Sequence, residues 1–122
     1  KTMNKYHAEH TWVRIEGDSA LVGITQHAQD TLGDIVFVDF AEVGKTFEQG
    51  TVAGVVESVK AAADVHMPAS VEILESNEAL RADPSLANSD PEGAGWFYKV
   101  KLSNAAELDG LMDAAAYQAI TG

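Results

Sequence analysis

Apolar and polar positions alternate over short stretches, and turn residues interrupt them at close intervals, a pattern of many short strands rather than long helices. The candidate strands are Trp12 to Ile15, Ala20 to Gly23, Ile35 to Phe40, Thr51 to Val59, Val65 to Met67, Ser70 to Glu75 and Trp96 to Leu102. Glu16-Gly17-Asp18-Ser19, Glu42-Val43-Gly44-Lys45, Glu48-Gln49-Gly50 and Asp90-Pro91-Glu92-Gly93 place Gly or Asp where the chain must reverse. The reading is mainly β, a small barrel or sandwich.

Helix enters in two places. Thr25 caps a segment Gln26 to Leu32 that Gly33 stops, and Ser103 and Asp113 precede the helix formers of 104–108 and 114–120. Ser76 to Gly95 reads as a long loop with one helical turn near Pro84 to Ala87. Loops of that length are usually functional.

With 122 residues, 46% hydrophobic and 22% charged, the chain matches one globular unit. Its 19 acidic and 8 basic side chains give a net charge of −11, which opposes nucleic acid and anionic membranes. It contains no cysteine, so thiol chemistry must come from an attached group. No apolar run approaches a membrane span, and Lys1-Thr2-Met3-Asn4-Lys5 leads into no signal-peptide core. This favours the bacterial cytoplasm, with the mitochondrial matrix as the alternative.

The chemistry concentrates around Lys60. Valine-rich strands enter and leave Val59-Lys60-Ala61-Ala62-Ala63, which puts this lysine at a hairpin tip among small neighbours, with Glu57 and Asp64 flanking it. An amine on a four-carbon stem at such a tip suits an acyl cofactor carried between active sites. An ordinary solvated turn lysine is the competing reading. His7, His10, His27 and His66 show no metal-ligand spacing and read as surface or capping residues, so no metal site is expected. Trp12 and Trp96 read as core, and Asp34 and Asp39 as the wet face of a strand.

Val56-Glu57-Ser58-Val59-Lys60-Ala61, Val22-Gly23-Ile24-Thr25-Gln26-His27-Ala28-Gln29-Asp30, Leu32 to Val38, His10-Thr11-Trp12-Val13 and Asn88-Ser89-Asp90-Pro91 together resemble the H protein of the glycine cleavage system, in order and approximate spacing. The resemblance spans nearly the whole chain. It implies a barrel-sandwich hybrid of lipoyl-domain type with short helices, including a C-terminal helical segment. It also implies a single lipoyl-carrier domain over 1–122, with a core of about 11–102 and a helical extension of about 103–122.

The resemblance further implies lipoic acid in amide linkage on Lys60, within a recognition motif of Glu57, Ser58, Val59, Ala61 and Asp64. The carrier is not itself an enzyme. It takes the aminomethyl group of glycine from the pyridoxal-phosphate decarboxylase (P protein) to the folate-dependent aminomethyltransferase (T protein), and dihydrolipoamide dehydrogenase (L protein) reoxidises it. A lipoate ligase or a lipoyl/octanoyl transferase would load it. Thr11, Trp12 and Thr31 are the candidates for a cleft that shelters the arm. Thr11 stands where the family commonly has Glu, Ala63 where Ser or Thr is common, and Val71 where the family's glycine often allows positive φ.

A biotin carrier is disfavoured, since Val59 and Ala61 occupy positions where that class has methionine. A lipoyl or octanoyl relay, or an unmodified binding module on the same fold, stays open as an alternative.

Overall fold

The structure, a computed structural model, describes residues 4–121. Lys1 to Met3 and Gly122, the ends of the expected 1–122 unit, lie outside the described residues. The strands are β1 (Lys5–His7), β2 (Thr11–Glu16), β3 (Ser19–Ile24), β4 (Ile35–Phe40), β5 (Thr46–Phe47), β6 (Val52–Ser58), β7 (Ala62–His66), β8 (Val71–Ser76) and β9 (Tyr98–Leu102). Among the described residues four α-helices accompany them: α1 (Gln26–Leu32), α2 (Glu78–Ala82), α3 (Leu86–Ser89) and α4 (Ala114–Thr121). A 3-10 helix spans Ala105–Gly110.

The strands form two antiparallel sheets in the orders β1-β2-β3-β9-β8-β5 and β4-β6-β7, the barrel-sandwich hybrid that the sequence predicts. Their inner faces share one apolar core, in which Val22, Val56, Val65, Ile73, Phe97 and Val100 are buried. Tyr98 locks the second sheet's strands at one point. Its hydroxyl donates to Ala53 O and accepts from Ala41 N at 2.7 Å, and desolvation pushes its pKa up to about 12. Gly54, at φ 135°, leaves room for that hydroxyl; a Cβ there would sit 2.8 Å from it.

A smaller cluster on the outer side of β2 joins the chain's two ends. Tyr6 stacks on Tyr117 at 4.7 Å and 9°, with Trp12 buried beside them. Sequence patterning gave no strand at Lys5–His7 or at Thr46–Phe47, since each is too short to show alternation. The C-terminal helix pair resolves into one 3-10 helix and one α-helix.

The stretch 76–95, expected as a long loop with one helical turn near Pro84 to Ala87, holds two short helices: α3 takes up that turn and α2 precedes it. Asn77 caps α2, its side chain accepting from Ala79 N at 3.2 Å and donating to the carbonyls of Ala94 and Trp96. Polar residues that read as loop are here the caps and braces of helices too short to show a period. Val71 takes no positive φ; it lies in β8, fully buried. The strand β4 carries a bulge between Ile35 and Phe37, which leaves both Val36 and Phe37 outside the core.

Tyr98→Phe is expected to lower stability by about 1–3 kcal/mol, because it strands Ala53 O and Ala41 N without a partner. Urea unfolding followed by tryptophan fluorescence checks this, and an unchanged midpoint would contradict it.

Candidate functional site

The hairpin between β6 and β7 reverses in two residues, Val59 and Lys60. Neither has positive φ, so the mirror-image turns usual for such hairpins are not used. Ser58 closes the reversal instead. Its hydroxyl accepts from Lys60 N and Ala61 N, each at 3.1 Å, and donates to Ala61 O at 3.1 Å, while Ser58 N donates to Ala61 O at 2.8 Å. The tip is anchored from outside by Val59 N, which donates to Asp34 O at 3.0 Å.

Asp34 is itself held. Asn88 on α3 accepts from Ile35 N at 2.8 Å and donates to Gly33 O and Gln29 Oε1 at 2.9 Å. The helical stretch after β8 therefore fixes the end of α1 and the start of β4, and through them the tip.

Lys60 is exposed, and neither of the two ion pairs among the described residues, Arg14–Glu16 and Glu78–Arg81, includes it. Its stem lies over Gly33, where a Cβ would come within 3.2 Å of Cε. Gly33 also ends α1 at φ 81°, with its N–H donating to Gln29 O, so glycine serves both the helix stop and the lysine's bed.

One residue before Gly33, Leu32 lines an open cleft of about 350 Å³. Its apolar wall is Ile24, Ala28, Leu32, Val56 and Ala63. Its polar edge comes from Glu9, His10 and Thr11 at the β1–β2 turn, His27 and Thr31 on α1, and Asp64 and His66 on β7. Among the expected cleft residues, Thr11 and Thr31 line this space and Trp12 does not. Thr11 and Trp12 are adjacent in a strand and so face opposite sides. Trp12 points to the outer cluster, its Nε1 donating to Ile24 O at 2.9 Å and Pro91 O at 3.0 Å.

Thr11 is 1% exposed, and among the described residues its buried Oγ1 has no hydrogen-bond partner. Glu57 and Asp64 are exposed on β6 and β7, in positions flanking the tip.

The histidines are a site feature that their spacing does not reveal. His10 ends the three-residue loop between β1 and β2 at φ 70°, the left-handed position such loops require and one that histidine tolerates better than most. Its ring stands 4.6 Å from that of His27. The Tyr117 hydroxyl sits between His10 Nδ1 at 2.6 Å and Thr25 Oγ1 at 2.7 Å, and Thr25 caps α1 through Ala28 N. Burial holds His10 below its ordinary 6.5, with nearby His27 adding to the effect and Glu9 opposing it. Burial likewise lowers His7, with Glu9 opposing and His66 adding.

This arrangement offers an exposed, unpaired primary amine on a braced tip, beside a cleft whose wall is apolar. An amide-linked acyl chain fits: the amine is exposed, its stem lies over Gly33, and the neighbouring cleft has an apolar wall.

The family model for the glycine cleavage H-protein matches residues 4–122. The chain belongs to the glycine cleavage H-protein family. It is 51% identical over 120 residues to the glycine cleavage system H protein of Bradyrhizobium diazoefficiens, covering 98% of each chain. It is 59% identical over 114 residues to that of Chromobacterium violaceum, covering 93% of this chain and 89% of the other. The crystal structure of the Mycobacterium marinum H protein superposes with a TM-score of 0.87 at 41% identity, covering 96% of this chain and 94% of that one. Membership carries a lipoyl-carrier role in the glycine cleavage system, as a component that is not itself catalytic. Among the described residues no helix is long and apolar enough to cross a membrane.

The lowered histidines make stability depend on pH. A folded pKa below the unfolded one means that the unfolded chain binds more protons between the two, so stability falls as pH drops through that window. Unfolding free energy is expected to decline from about pH 7.5 to about pH 5.5, above the range in which carboxylates titrate. In His10→Asn, which keeps a residue suited to positive φ, that decline is expected to be shallower; urea midpoints across the range check it, and an equal slope would contradict it. Thr11→Val, which removes a hydroxyl without a partner, is expected to leave the melting temperature unchanged or higher. A loss of more than about 1 kcal/mol would show that the hydroxyl is satisfied in solution.

Proposed function

We propose that Lys60 carries lipoate in amide linkage and that the chain, as one carrier domain, serves glycine breakdown. The observation that supports this most is the tip itself: an exposed lysine, in no ion pair among the described residues, on a reversal closed by Ser58. An amine so placed is open to a modifying enzyme, while the braced backbone holds its position. Lipoate supplies the disulfide for thiol exchange that a cysteine-free chain lacks.

The carrier moves the aminomethyl group of glycine from the P protein to the T protein and is returned to its disulfide state by the L protein. A lipoate ligase or a lipoyl/octanoyl transferase loads it. Glu57, Ser58, Val59, Ala61 and Asp64 are the residues that this loading enzyme meets around Lys60. Gly33 beds the lysine stem, and the cleft beyond Leu32 shelters the arm's far end from water, with Thr11, Thr31 and Asp64 on its polar side. The bacterial relatives support a place in the bacterial cytoplasm.

Lys60→Arg tests the assignment. Incubated with a lipoate ligase, lipoate and ATP, the wild-type chain is expected to gain one lipoyl increment in intact mass and the variant none, since a guanidinium is not acylated. The melting temperature is expected to stay within about 2 °C, because surface substitutions are worth about 0.5 kcal/mol or less. A lipoyl increment on the variant would contradict the assignment.

A further inference from the structure

Three large apolar side chains stand out in water around the tip. Val59 is 67% exposed, Val36 55% and Phe37 50%. The bulge in β4 puts Val36 and Phe37 outside together. Phe37 lies opposite Glu57 in the ladder, and Val59 follows Glu57 by two residues and is tied to Asp34, so the three apolar groups gather on the tip's outer side. Carboxylates edge them: Asp34 at the anchor, Glu57 opposite Phe37, and Asp39 two positions along the same strand face, all exposed. On a chain of net charge −11, an apolar patch edged by acid calls for a partner face that is apolar at its centre and basic at its rim.

We propose that Val36, Phe37 and Val59, with Asp34, Asp39 and Glu57 around them, form the docking surface for the enzyme that acylates Lys60. The inference rests on Lys60 being the acylated lysine. Reach selects this partner over those that use the loaded arm. Acylation requires Nζ to give up a proton and form a bond to the lipoyl carbonyl carbon, while the bond from that carbon to the phosphate of a lipoyl-adenylate breaks and the adenylate leaves with the electron pair. The enzyme's reacting atoms must therefore come within bonding distance of Nζ, and its surface meets the side chains next to the tip. An enzyme that works on the far end of the arm is held off by the arm's own length.

The test is steady-state acylation of the full-length chain by purified lipoate ligase with lipoate and ATP, with the protein as the varied substrate. For Val36→Gln/Phe37→Gln, KM for the protein is expected to rise about tenfold with kcat within about twofold of wild type. For Asp34→Asn/Asp39→Asn, KM is expected to rise at low salt and to depend less on ionic strength. Val43→Gln, which alters another exposed apolar residue away from the tip, is expected to leave KM unchanged. Circular dichroism and melting confirm that each variant is folded; should the β4 pair fail to fold, Val59→Gln carries the same KM expectation.

An unchanged KM in folded patch variants, a loss confined to kcat, or an equal rise in Val43→Gln would overturn the docking surface while leaving the carrier assignment intact. Wild-type chain that stays unmodified would overturn the carrier assignment itself. A wild-type dimer by light scattering that becomes monomeric in Val36→Gln/Phe37→Gln would give the patch to a second copy and overturn the proposal.

Discussion

The site depends on how one two-residue reversal is held. A tight hairpin ordinarily uses residues at positive φ, and Val59 and Lys60 are neither glycine nor asparagine. The Ser58 hydroxyl takes over the closure with three hydrogen bonds inside the turn, and the bond from Val59 N to Asp34 O pins the turn to the neighbouring strand. Without these, Lys60 would ride on a flexible loop. With them, its amine is mobile only along its own stem.

The anchor extends into parts of the chain that seem remote. Asn88 holds the end of α1 to the start of β4, so α3 braces the tip through them. Tyr117 does the same for the cleft: stacked on Tyr6 and bonded to both His10 and Thr25, it joins the C-terminal helix to the turn that lines the cavity and to the cap of α1. The helical additions thus have a role in positioning the site.

Much of this was legible in the sequence, and the limits have physical causes. Alternation over Ile35 to Phe40 and Thr51 to Val59 exposed the sheets, and a lysine between two valine-rich runs exposed the tip. Thr11 and Trp12 were both assigned to the cleft, although side chains in a strand alternate, so only one of the pair can face it. The strand β1 and the helix α2 were missed, and α3 was anticipated only as a single turn near Pro84 to Ala87, because elements of three to five residues carry no readable period. The cleft's histidines were unreadable for a different reason: His10, His27 and His66 come from a turn, a helix and a strand that only the tertiary fold brings together. No spacing along the chain encodes that meeting.

Family membership states what kind of component this is, and Lys60 is the place we propose for its cofactor. The most direct test is peptide mass mapping of the chain isolated from its natural source under conditions that retain acyl groups. The account expects a lipoyl amide on Lys60 and unmodified amines on the other lysines. A lipoyl group on a different lysine, or a bare Lys60 in chain drawn from a working glycine cleavage system, would contradict it.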